Sequence, residues 1–97
     1  MASNHKLTGV IEGRAIQSLS IDSGKLTATF DDGSTMSVKL GATPPDTTKI
    51  GKVKAVRQSG TTLDIDYEDG STLEIETIEE TSSVILRDAN RKMEYAD

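Results

Sequence analysis

Ninety-seven residues suffice for one hydrophobic core, since a second would have to be built from fewer than about 50 residues. Eleven Lys and Arg against 16 Asp and Glu give a net charge of −5, which disfavours nucleic acid and acidic membrane surfaces as partners, because phosphate recognition needs clustered cations. There is no cysteine, hence no disulfide framework or thiolate chemistry, and no apolar run long enough for a signal peptide or membrane span, so the expectation is a soluble cytoplasmic protein.

The chain begins with a polar stretch (MASNHK) that is expected to fray and that carries the single histidine, His5. A histidine general base needs a nucleophile or a second acid nearby. No cysteine is present and no serine lies in a G-x-S-x-G context, so no catalytic residue is assigned. Ile11-Glu12-Gly13-Arg14 matches a sequence used as an engineered protease-cleavage site, which leaves open whether residues 1–14 are native. No His-tag precedes it and Val10-Ile11 reads as part of a strand, which favours native sequence.

The strongest signal is internal. Ile16–Leu40 and Val53–Thr77 align without a gap at an offset of 37 residues, with identities at Leu26/Leu63, Asp32/Asp69, Gly33/Gly70, Ser34/Ser71 and Thr35/Thr72. A partial third copy spans residues 84–95, where Leu86–Tyr95 aligns with Val56–Ile65. Strict alternation marks the strands: Leu26, Ala28, Phe30; Met36, Val38, Leu40; Leu63, Ile65, Tyr67; Leu73, Ile75.

Turn chemistry then sets the register, because residues facing each other across a pair must share a face. Three-residue loops Asp31-Asp32-Gly33 and Glu68-Asp69-Gly70, each closed by a left-handed glycine, put Ala28 opposite Met36 and Ile65 opposite Leu73. By the same logic Gln58-Ser59-Gly60 puts Val53 opposite Ile65 and Lys54 opposite Asp64. Asp88-Ala89-Asn90, with Asn90 left-handed, puts Ile85 opposite Met93. Residues 41–49 (GATPPDTTK) form a connector, since Pro44-Pro45 cannot donate ladder hydrogen bonds.

These elements predict one all-β domain over residues 1–97: a small antiparallel β-meander of about two and a half hairpin repeats, curled into a barrel or two packed sheets. Inward positions are Ile16, Leu26, Ala28, Phe30, Met36, Val38, Val53, Ala55, Leu63, Ile65, Tyr67, Leu73, Ile75, Ile85, Met93 and Tyr95. The partial copy lacks its second hairpin, which leaves an edge that Leu7–Glu12, as a strand, is expected to close.

Two surface features remain as candidates for an interaction surface. Asp64, Asp66, Glu74 and Glu76 form an acidic stripe. It lacks the calcium-loop spacing and is answered by Lys52 and Lys54 on the neighbouring strand, so no metal or cofactor is assigned. Leu19, Val56 and Leu86 fall at equivalent positions on the polar face by parity; either a bulge returns them to the core or they form an apolar patch. The basic run Lys49, Lys52, Lys54, Arg57 has no exposed aromatic platform beside it and reads as pairing for the acidic strand. The function expected from this is a small non-catalytic interaction module, binding a protein partner or itself through an edge strand. The alternative is a small-molecule-binding barrel or weak enzyme using the interior.

Overall fold

The computed structural model describes residues 2–97; Met1 lies outside them. Its elements are β1 (Ala2–Ser3), α1 (His5–Ile11), β2 (Ala15–Asp22), β3 (Lys25–Phe30), β4 (Thr35–Lys39), β5 (Gly51–Ser59), β6 (Thr62–Tyr67), β7 (Thr72–Glu76), β8 (Val84–Arg87) and β9 (Met93–Ala96). The protein is thus mostly antiparallel sheet with one short helix. Hydrogen-bonded neighbours follow the order β7-β6-β5-β2-β3-β4-β8-β9, with β1 added on β5.

The hairpins β3–β4 and β6–β7 hold the register that face matching dictates. Leu26 faces Val38 and Ala28 faces Met36; Leu63 faces Ile75 and Ile65 faces Leu73. Gly33 and Gly70 sit at φ of 86° and 91°, the left-handed region that closes a three-residue loop. In each turn the preceding aspartate braces the backbone: the Ser34 and Ser71 N–H groups donate to Asp32 Oδ1 and Asp69 Oδ1. Those hydrogen bonds, together with the serine hydroxyls, hold both carboxyls below the usual range.

The β5–β6 hairpin departs from the expected register. Its loop is the two-residue Gly60-Thr61, so Ser59 faces Thr62 and Val56, not Val53, faces Ile65. Gly60 at φ 57° supplies the positive φ that a tight two-residue turn needs at its first position, one a three-residue reading assigned to the wrong place. A bulge between Val53 and Ala55 then absorbs the difference, and Val53 faces Tyr67. The β2–β3 hairpin does the same, with a Ser23-Gly24 turn and a bulge between Ile16 and Ser18. At β8–β9 the expected Ile85/Met93 pair is replaced by Ile85/Ala96 and Arg87/Met93. Asp88 organises a longer loop by accepting from the Asn90 and Lys92 N–H groups, and Arg91, not Asn90, takes the left-handed position. Ile85 and Met93 therefore face outward, and Val84 takes the inward place.

Residues 5–11 form a helix, not a closing strand. Asn4 caps it, its Oδ1 accepting from the Leu7 N–H at 3.0 Å, and Leu7, Val10 and Ile11 share one face at i, i+3 and i+4. Leu7 and Ile11 are fully buried against the sheet, with the helix packed on β5 and β9. The ends of the strand path, β7 and β9, do not pair, so the sheet is not closed into a barrel. Its two halves touch through the short β2–β5 ladder (Ala15/Lys52, Ile16/Gly51) and an isolated bridge, Leu40/Thr77. Gly51 stands where the halves cross, and a Cβ there would lie 3.3 Å from the Tyr67 ring, so glycine permits that close approach. One apolar cluster runs through both halves and the helix, from Leu7 and Ile11 through Phe30 and Met36 to Tyr67 and Leu86.

Candidate functional site

The apolar candidates separate by burial. The bulge in β5 turns Val56 inward, where it is 0% exposed, and Leu86 is equally buried; both belong to the core and neither lies on an outer patch. Leu19 is only half-buried, packed against the rim of that core.

The acidic candidates lie on the outer face of β5–β6–β7. Across that face Arg57, Asp64 and Glu74 form one row, while Ala55, Asp66 and Thr72 form the next. Arg57, and not Lys54, answers the acid: its Nε and Nη2 donate to Asp66 at 2.7 and 2.8 Å, and Nη2 stands 3.6 Å from Asp64 Oδ2. The two-residue Gly60-Thr61 loop is the cause, since the register that runs back from Ser59/Thr62 sets Arg57 opposite Asp64. Lys52 reaches Glu68 at 3.9 Å instead of Asp66.

Burial pushes the Asp64 carboxyl up, with Arg57 opposing and the negative Glu74 and Asp66 adding to the rise. Asp66 is held low by its Arg57 and Thr72 hydrogen bonds. Asp64 Oδ1 is buried without a partner. Glu76 takes the Ala42 N–H at 3.0 Å and so ties the 41–49 connector to β7. Among the described residues no group of three or more His, Asp or Glu side chains could hold a metal ion. Within the stripe, Asp66 is paired with Arg57 and Glu76 is strapped to the connector.

The connector also bears on the edges of the sheet, where unpaired backbone groups could recruit another chain. Beside β7, Gly41 N–H donates to Glu76 O and Lys49 Nζ to Thr72 O. At β9, Arg14 reaches from the α1–β2 loop to clasp Glu94 with both Nη atoms, at 2.8 and 3.0 Å, while contacting Asp32 at 3.2 Å. The β5 edge, by contrast, is covered by backbone: Ala2 and Ser3 pair with Gln58 and Arg57. There Asn4 N–H donates to Val56 O, and Val56 N–H donates to Thr8 Oγ1, each at 2.8 Å.

A further edge belongs to β2. Beyond Ile16 it pairs with β3 alone. Asp22 and Lys25 flank the two-residue turn and exchange hydrogen bonds, so by alternation Ser20 and Ser18 also bond toward β3. The N–H and C=O groups of Leu19 and Ile21 consequently point away from the sheet, and no described residue pairs with them. These two positions align with Val56 and Gln58, the residues whose outward groups β1, Asn4 and Thr8 satisfy. Covered in one segment, the edge is bare in the other.

The bare edge is also the more apolar. Where the covered strand has Gln58, β2 has Ile21, 38% exposed. Ala15–Ile21 (AIQSLSI) contains no charge and no proline, the residues that ordinarily blunt an edge. The edge that sequence reasoning placed at the partial third copy is present at β9, which pairs with β8 alone; the second edge, at β2, was signalled by this uncharged alternating run. A surface cleft of about 460 Å3 lies between Glu12, Gly13, Val53, Lys54 and Glu68. No helix is long and apolar enough to cross a membrane among the described residues. Comparison of the chain with family models, curated proteins and solved structures finds no match.

Proposed function

We propose that this chain is a non-catalytic interaction module that recruits a protein segment by adding a strand to the open edge of β2. The observation that carries this reading is the row of unpaired backbone groups on Leu19 and Ile21, in a run, Ala15–Ile21, free of charge and proline. Backbone pairing would supply affinity. The half-buried Leu19 and exposed Ile21 on one face, and Ser18 and Ser20 on the other, would read the side chains of the added strand. The repeat reading adds support: in a meander of related hairpin units, an extended segment already occupies the corresponding edge of the second unit at Arg57 and Gln58. The carrier alternative has less in its favour, because Phe30, Met36, Ile65, Tyr67 and Leu86 fill the interior where a ligand would sit.

A synthetic peptide with the Ala15–Asp22 sequence is a suitable strand probe. Added to labelled protein, it should perturb and protect the Leu19 and Ile21 amides while leaving β7 and β9 unchanged in the NMR spectrum. Perturbation at β7 or β9 alone, or none at saturating peptide, would overturn strand addition at β2.

A further inference from the structure

The geometry points to a second copy of this chain as the occupant of the β2 edge, paired antiparallel about a twofold axis through Ser20. This rests on the strand-addition reading above and names its partner.

Self-pairing is decided by the residues along the strand. Because the outward groups lie on Leu19 and Ile21, the register that satisfies all of them sets Leu19 of one copy against Ile21 of the other, each pair exchanging both backbone hydrogen bonds. Ser20 then faces Ser20 across the axis as the intervening pair, which brings their Cα atoms close. Asp22 faces Ser18, so no like charges oppose. The same register places all four aliphatic side chains on one face, Leu19 beside Ile21, continuing the row that Ala28 and Leu26 begin in the core. The four serines at positions 18 and 20 line the other face beside Thr27 and Thr29, with the exposed Asp22 of each copy at the ends of the paired segment. A strand whose reverse complements itself in hydrogen bonding, in apolar contact and in charge fits an isologous dimer, in which one patch serves both partners.

The other edges offer no such match. β7 carries Glu74 and Glu76 beside its connector, and β9 presents Glu94 clasped by Arg14. Self-pairing of β7 would set negative side chains near one another.

The test uses the full chain. Sedimentation equilibrium across micromolar to millimolar concentration should show a monomer–dimer equilibrium, and a mixed labelled and unlabelled sample should give an intermolecular contact between the Ser20 Hα protons. Ile21→Lys, at an exposed edge position, should keep the thermal midpoint measured at low concentration and weaken dimerisation at least tenfold. Leu19→Thr serves as a second, β-compatible variant should the lysine disturb folding, and it should also weaken association. Dimerisation unaffected by either variant, or a dimer without the Ser20 contact, would overturn the proposed interface. A chain that stays monomeric at millimolar concentration yet still binds the Ala15–Asp22 peptide would overturn self-recognition by the folded chain and leave strand addition standing. Monomer with no peptide binding would overturn both.

Discussion

Gly70 shows how one residue's backbone can set a register. Its φ of 91° lies where a β-branched side chain is strained, while the space a Cβ would enter is empty. Gly70→Val should therefore cost about 1–2 kcal/mol through backbone strain alone, read as a fall in the urea midpoint; an unchanged midpoint would contradict the left-handed assignment. Asp64 illustrates the opposite dependence, on surroundings. Its carboxyl is raised by burial, so the stabilising effect of its neutral form is complete below the ordinary value of 3.8 and is lost as pH rises through the raised one. Asp64→Asn should accordingly be more stable than the parent at pH 7, with the margin shrinking as pH falls through the titration of Asp64. Asp66 runs the other way: its pKa is lowered, so its contribution is present above 3.8 and lost as pH falls through the lowered value. Thermal midpoints from pH 7 to 3 separate the two, and a margin for Asp64→Asn that does not change with pH would refute the charge as its cause.

At the scale of the element, α1 is the instructive case. Asn4 followed by Leu7, Val10 and Ile11 is a capped i, i+3, i+4 pattern, yet the segment is one short turn-rich stretch with Gly9 in its middle. Adjacent Val10-Ile11 reads equally well as strand. A helix of this length is not stable by propensity; burial of Leu7 and Ile11 decides it. The cap does further service, since Asn4 Nδ2 donates to Gln58 Oε1 and to the Tyr95 hydroxyl at 2.9 and 3.2 Å, linking helix, β5 and β9. Asn4→Ala should cost about 1–2 kcal/mol by chemical denaturation. The hairpins differ in kind from the helix. Where a loop is fixed by Asp-Gly, as at β3–β4 and β6–β7, register follows from the sequence; where Gly60 or Gly24 could close either of two loop lengths, it does not.

For the whole molecule, the core spans both halves and the helix, so truncation anywhere in it should be felt globally. Leu7→Ala removes a fully buried side chain and should cost about 2–5 kcal/mol, with a single cooperative transition shifting by circular dichroism; a loss confined to local fraying of the helix would show that α1 is an appendage. The face periodicity of Leu26–Phe30, Met36–Val38, Leu63–Tyr67 and Leu73–Ile75 determined the antiparallel sheet and most of its interior, because alternation and a glycine turn act within one hairpin. The bulges in β2 and β5, the inward turn of Val56, the choice of Arg57 over Lys54 as partner for the acidic face, and the identity of the bare edge were decided only in three dimensions. The β5 register follows from a choice between two loop lengths, and the bare edge from which distant segment covers a strand. β1 and α1 reach β5 and leave β2 open, a difference set by long-range packing that no local pattern encodes.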